Sequence, residues 1–475
     1  MSKAPSPDFL APVRSHFDRL IRCGLDRYGP EHTPMWMASI DVRTGRYPDD
    51  DARPEHIGKR VYRAIDAPRG CTLYWDQPAL VAAHALSGVT GDASYADAAD
   101  AYVECFLDRC VAQSGLFLWG NHYFYDAFRD TPVRFGGNEA TAPCDPRSER
   151  GDLHEIRPIP PAWELFGRVS PEKTEAAIRA AGRAHLVDPE TGEFNRHADG
   201  RSGCAFLESG GILVESLCGL HAETGDAELK GTADKIAAYS FDRRNPDSGL
   251  LPNTPSIERW DTTACTTEVG LWAGCLLRAA RLVDEPRFAR MAAEAMDAYV
   301  RHGYDAEAGR WYGELGIADG SPVSHDDDYP YRPDDYADLW EPLFPRHDYP
   351  MPFAEACLAL WQLTGEERYR TACERWAGQV ADSLPARGGR GGYAEHYGRC
   401  VHFLAGCAEG LAGGPYRELA LRVAEEALEV LWAGEMFRGH PGEERCDAVD
   451  GVGWLALALM RLSTGEEPPL MGLGW

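Results

Sequence analysis

One unit recurs along this chain: a helix rich in apolar and small residues, a tight turn often reading Thr-Gly-Asp or Thr-Gly-Glu, and a second helix that alternates charge with apolar stripes. The turns read Thr90-Gly91-Asp92, Val169-Ser170-Pro171, Thr224-Gly225-Asp226, Val283-Asp284-Glu285, Thr364-Gly365-Glu366, Ala412-Gly413-Gly414 and Thr464-Gly465-Glu466. A spacing of roughly 50 to 80 residues marks a repeated supersecondary unit. Glycine suits a left-handed C-cap, and an acidic or hydroxyl residue just beyond it favours the next helix start.

Helices are expected before the turns at about 77–89, 158–168, 206–223, 262–282, 350–363, 396–411 and 447–463, with Ala, Gly, Cys and Leu on most faces. Those after the turns, at 93–111, 171–184, 227–240, 286–302, 367–383 and 415–432, have the single apolar stripe of an outer layer. The last buried helix lacks a following partner, which an amphipathic helix at 8–28 supplies by closing a ring. The resulting expectation is all-α: one toroid domain over residues 1–475, built of six or seven helical hairpins, with short β pieces in the loops. One such piece is a hairpin over Met35–Tyr47, turning at Arg43-Thr44-Gly45.

A formal net charge of −27 excludes partners that need a basic face, so neither nucleic acid nor an anionic membrane is expected. No apolar run reaches the length of a membrane span, and the N-terminus shows no signal-like apolar core. Fourteen cysteines lie scattered without CxxC pairs, as small buried residues do in a reducing compartment, so the expected location is cytoplasmic. Gly388-Gly389-Arg390-Gly391-Gly392 lacks the Lys-Ser/Thr ending of a phosphate loop, and no nucleotide cofactor is expected. The acidic run from His325 through Asp328 to Asp338 offers oxygens to a divalent cation such as Ca²⁺. It reads first as a solvated loop, and no metal ligands are assigned.

The stretch Leu116 to Asp126 places Phe117, Trp119, Tyr123, Phe124 and Tyr125 around Asn121 and His122. Such rings offer flat apolar faces and polar edges, the surface that a sugar's C–H face and hydroxyl rim fit. Other loops preceding buried helices are equally rich: Trp75-Asp76, His154-Glu155-Ile156-Arg157 with Trp163, Asn195-Arg196-His197, Glu258-Arg259-Trp260-Asp261, Trp340-Glu341, and His396-Tyr397 with Arg399. Their convergence on one end implies a cleft for an oligosaccharide or polysaccharide.

Inner and outer helix rings with such loops resemble the (α/α) toroids of carbohydrate-active enzymes, which include polysaccharide lyases, glycoside hydrolases and the N-acylglucosamine 2-epimerase group. The resemblance implies a cleft at the N-terminal ends of the inner helices. In toroid lyases a neighbouring Asn and His sit by the uronate carboxylate while a Tyr moves the proton and an Arg assists. It therefore assigns catalysis to Asn121, His122, Tyr397 and Arg399, in β-elimination on uronic-acid oligosaccharides. Substrate contacts are expected from Trp75, Asp76, Trp119, Tyr123, Tyr125, Arg157, Trp163, His197, Trp260, Trp340 and His396. A hydrolase would instead draw two carboxylates from Asp76, Asp126, Glu164, Glu208, Asp261, Glu355 and Asp450. An epimerase would draw bases from His197, His396 and His440. An open helical-repeat binding protein is the non-enzyme alternative. Because the shell is acidic, a uronate chain requires a locally cationic floor, for which Arg157, Arg196, Arg259 and Arg399 are available.

Overall fold

The computed structural model describes residues 8–48, 69–120, 122–135, 141–143, 154–256, 261–324, 336–340, 350–386 and 391–474. Among them fourteen helices pair into a ring of seven hairpins. The inner helices are α2 (Leu73–Thr90), α4 (Trp163–Val169), α6 (Leu207–Thr224), α8 (Thr266–Leu282), α10 (Met351–Thr364), α12 (Ala394–Gly410) and α14 (Val452–Thr464). The outer helices are α3 (Ser94–Arg109), α5 (Pro171–Ala184), α7 (Ala227–Phe241), α9 (Pro286–His302), α11 (Glu367–Asp382) and α13 (Tyr416–Leu431). The seventh outer position is filled by α1 (Leu10–Cys23), which packs on α14, while α14 packs on α2 and closes the ring.

The recurrent turn has one chemistry. The hydroxyls of Thr90, Thr224, Thr364 and Thr464 donate to the carbonyl four residues back at 2.7, 2.8, 2.7 and 3.0 Å, and accept the backbone N–H two residues ahead. The glycine between them is left-handed, with φ of 74°, 73°, 68° and 75° at Gly91, Gly225, Gly365 and Gly465. The threonine thus satisfies the ending helix while the glycine reverses the chain, and the next helix starts within a few residues.

Inner helices approach one another closely where glycine removes a side chain. A Cβ on Gly270 would lie 2.3 Å from Phe353 N, and one on Gly453 would lie 2.2 Å from Ala79 N. Ring closure therefore depends on small residues, and the core is continuous from α1 to α14.

Several boundaries differ from the sequence reading; α1 ends at Cys23 and not near 28, and α2 begins at Leu73 and not near 77. Helix α4 begins at Trp163 and not near 158, because Pro158, Pro160 and Pro161 cannot continue a helical ladder. Before α8 the chain is extended, and before α14 a short 3₁₀ turn at Ala448–Asp450 intervenes. The 35–47 segment pairs with itself only across its turn, where Asp41 N–H donates to Arg46 O at 2.8 Å. Its turn forms, with Gly45 N–H donating to Asp41 O at 2.8 Å, but β1 (Ser39–Asp41) pairs with the distant β12 (Arg445–Asp447) and helps fasten the closing edge.

The remaining strands are short and lie in the loops that enter inner helices. They are a sheet ordered β2 (Gly70–Cys71), β3 (Tyr123–Asp126), β4 (Thr131–Phe135) and β5 (Thr141–Pro143), and the pairs β6 (Leu186–Asp188) with β7 (Glu193–Phe194), β8 (Thr263–Cys265) with β11 (Glu314–Gly316), and β9 (Tyr304–Asp305) with β10 (Arg310–Trp311). No helix is long and apolar enough to cross a membrane among the described residues.

Asp76, an expected sugar contact, is instead core: it is 5% exposed, and the Tyr102 hydroxyl donates to it at 2.7 Å. Burial pushes its carboxyl up to about 7, with Tyr102 opposing the shift. An ordinary aspartate in the unfolded chain ionises near 3.9, so this group destabilises the fold progressively as pH rises from about 4 to about 7, and by a constant amount above that. Asp76→Asn, which keeps an acceptor for Tyr102, is therefore expected to raise stability by on the order of 1–4 kcal/mol near pH 8 and to have little effect near pH 4, measured by denaturant unfolding at both pH values.

Candidate active site

The loops entering α4 and α6 bring together residues that are far apart in sequence. Glu155 and His197 face each other in an isolated antiparallel bridge. Ile156 N–H donates to Arg196 O at 2.9 Å and Ala198 N–H to His154 O at 3.0 Å, so the 155–197 pair is of the non-hydrogen-bonded kind, in which side chains lie closest. His122 arrives from the segment leading into β3. Just before it, Gly120 takes φ of 83°, and a Cβ there would lie 3.2 Å from Glu155 O; the backbone comes this near because no side chain intervenes.

The result is a cluster of His122, Glu155 and His197 whose ligand atoms lie within 4.8 Å of one another. His122 Nε2 is 3.7 Å from Glu155 Oε2, and His197 Nε2 is 3.5 Å from Oε1. The imidazoles are 30% and 26% exposed, whereas Glu155 is 2% exposed, so two rings reach solvent with a carboxylate behind them. Glu155 Oε2 is buried and has no hydrogen-bond partner among the described residues. Two imidazoles and an otherwise uncommitted carboxylate oxygen form a donor set suited to a divalent transition ion, more than to the all-oxygen shell that Ca²⁺ prefers.

Two arginines complete the face. Arg196 donates from Nε to Glu155 Oε1 at 2.9 Å and also through Nη2, with its guanidinium over the Phe206 ring at 4.3 Å. Arg157 donates to the same oxygen at 3.4 Å. Arg157 and its loop are held by Tyr74, whose hydroxyl accepts the Arg157 and Ile159 N–H groups, each at 3.1 Å. The 195–197 loop is held by Asn195, whose side chain accepts the His197 N–H at 2.8 Å and donates to Arg201 O at 2.9 Å. Burial opposes charge on Glu155, but Arg196 and Arg157, together with His197, hold its carboxyl well below the usual range. Burial lowers the pKa of His122, Glu155 opposing, so its imidazole is neutral at pH 7.

Of the sequence-derived candidates, His122, His197 and Arg157 meet here. Asn121 and Trp260 lie outside the described residues, as does the acidic run over 325–335. Tyr397 is fully buried, and its hydroxyl donates to Glu426 on α13 at 2.8 Å. Arg399 is bound to Glu355 on α10 at 2.6 Å. The anticipated aromatic wall is largely packing: Trp119 sits among Tyr74, Phe117, Trp163 and Phe166, and Trp75, Tyr123 and Tyr125 are buried. Trp163 donates to Ser216 at 2.8 Å, and Trp340 donates to Ser383 while its carbonyl contacts the buried His396. These aromatics face ring-to-ring because the loops fold inward over the inner helices. The sequence reading assigned no role to Glu155 itself; its only sign was a place between His154 and Arg157 in an ionisable loop.

Residues 76–205 match a family described as periplasmic pectate lyase. The pectate disaccharide-lyase of Dickeya dadantii (strain 3937) is 23% identical over 322 residues, a match covering 60% of this chain and 53% of that protein. The chain thus spans about half the length of this curated relative. The α-1,6-mannanase of Salegentibacter sp. HEL1_6 covers 97% of this chain and 100% of its own, at 11% identity and a TM-score of 0.49. A sugar epimerase from a ruminal bacterium covers 57% of this chain and 75% of its own, at 11% identity and a TM-score of 0.40. The ring of helical hairpins is the architecture that the sequence pattern implied, and the matched family and relative are carbohydrate-active by name. The cytoplasmic expectation is corrected: the matched family is described as periplasmic.

If the cluster holds a cation, calorimetric titration with Mn²⁺ or Zn²⁺ should show one site per chain. Glu155→Gln or His197→Ala should weaken it on the order of 100-fold, and Tyr397→Phe should leave it unchanged.

Proposed function

We propose that this protein is a lyase that cleaves pectate-like, uronate-containing glycans by β-elimination at the face formed by His122, Glu155, His197, Arg157 and Arg196. The observation that carries the reading is the grouping of two largely buried arginines and two partly exposed histidines around one buried carboxylate at the inner-helix N-terminal end. The pectate lyase names of the matched family and relative agree with it.

Elimination requires the sugar carboxylate to be neutralised so that a base can take the C5 proton, the electron pair of that bond forming the C4–C5 double bond as the C4 oxygen leaves with a proton from water. Arg157 and Arg196 stand where charge-assisted hydrogen bonds can stabilise an enolate developing on that carboxylate. His122, Glu155 and His197 would hold a divalent cation, which when bound would supply further electron withdrawal from the same group. Buried Glu155 keeps both guanidinium groups fixed. Tyr397, committed to Glu426, takes no part in this reading.

Incubation with polygalacturonate should raise absorbance near 235 nm, roughly where an unsaturated uronate absorbs, together with reducing ends. Arg196→Ala should lower kcat/KM by about 10²–10³-fold, whereas Tyr397→Phe should retain most activity and lose about 1 kcal/mol of stability. Reducing ends released without the absorbance would instead establish hydrolysis.

A further inference from the structure

Two further histidines, His154 and His185, are buried beside the site, and the elimination scheme uses neither. His185 caps the C-terminal end of α5, and His154 precedes Glu155 in the loop entering α4. His185 Nδ1 lies 2.8 Å from Asn195 O, and His185 Nε2 lies 2.7 Å from His154 Nδ1. A carbonyl oxygen can only accept, so Nδ1 of His185 carries a proton. Burial lowers both imidazoles, His185 to about 4 with the Asn195 carbonyl opposing, and each ring is neutral at pH 7. His185 Nε2 is therefore a lone pair that accepts from His154 Nδ1–H. The two bonds run in one direction, from His154 through His185 to the Asn195 carbonyl.

Both ends of this chain of bonds adjoin the cation cluster. Glu155 follows His154, and Asn195 precedes Arg196 and His197. Backbone bonds hold the same register: Asn195 N–H donates to His185 O at 2.9 Å, and Ala198 N–H to His154 O at 3.0 Å. The segment that carries His122 meets the same ring, since His154 packs on Trp119 with centroids 6.0 Å apart. Apolar packing alone is non-directional and would tolerate small slips between the loops. A divalent ion needs its donors placed to within about 0.2 Å, which directional bonds at both loops supply.

We propose that the His154–His185 pair is a positioning element that sets the spacing of Glu155 and His197, by tying the loops that carry them to the C-terminal end of α5. Neither imidazole is itself a donor to the ion or to a sugar. The inference rests on the cation reading of His122, Glu155 and His197 for its effect on affinity, whereas the alignment of the two loops stands without an ion.

The test compares the full chain with His185→Phe, which keeps a ring and removes both bonds, and with His185→Gln, which keeps a shorter polar group. Val423→Ala is the control, a core truncation in α13, which packs on α12. Calorimetric Kd for Mn²⁺ is expected to rise about 10- to 100-fold in His185→Phe and less in His185→Gln, and to stay within about twofold in Val423→Ala. Amide hydrogen exchange at Ile156 and Ala198, whose N–H groups bridge the two loops, should quicken about tenfold or more in His185→Phe relative to the amides of α6, and not in Val423→Ala. Unchanged exchange at those two amides, or an Mn²⁺ Kd within about twofold of the wild type in His185→Phe, overturns the proposal. If the wild type itself binds no Mn²⁺, the cation reading fails and exchange alone decides on positioning. If circular dichroism shows His185→Phe unfolded, the same readings on His185→Gln decide.

Discussion

A charged carboxylate buried at the mouth of an all-helical ring is the constraint on which the site depends. Glu155 is nearly inaccessible, and isolating its charge from water would cost several kcal/mol without compensation. Arg196 and Arg157 supply that compensation, and both are tied down, Arg196 over Phe206 and the Arg157 backbone on Tyr74. The dependence is mutual, since loss of Glu155 would leave two largely buried guanidinium groups without this acceptor. One oxygen of the carboxylate carries the arginines, and the other lies toward His122.

This arrangement separates rigidity from access. The inner helices present their first turns to one end of the ring, and the loops lie over that end and contribute the groups that reach solvent. Glu155 and His197 are aligned by backbone pairing across two loops, so the orientation of the donors is set by hydrogen bonds and not by side-chain packing alone. The cationic pair sits within a chain of net charge −27. Any attraction these arginines exert on an anion is accordingly local, where a low-dielectric wall strengthens it, while the shell repels at longer range.

The misplaced candidates share one cause. Aromatic and ionisable residues were sought in loops, and the loops contain them, but folding divides each loop into an inward and an outward half. Trp119 and His122 are three residues apart, yet one is 3% exposed in an aromatic cluster and the other reaches solvent. Tyr397 and Arg399 begin an inner helix at the expected end, yet their polar groups turn to Glu426 and Glu355. Composition records that such residues are available and is silent on the direction in which each points.

What the sequence by itself determined is the ring: Thr-Gly turns with a left-handed glycine, small-residue inner helices, amphipathic outer ones, and an N-terminal helix left over to complete the last hairpin. These are local properties, set by capping chemistry and by the period of apolar residues, and local properties are legible along a chain. Only the tertiary structure decided that His122, Glu155 and His197 form one cluster, that Arg157 and Arg196 share one oxygen of Glu155, and that His154 meets His185. All of those contacts but that of Arg157 with Glu155, which lies within one loop, join different loops or helices. Their geometry depends on how neighbouring hairpins dock around the ring, which no local pattern of residues encodes.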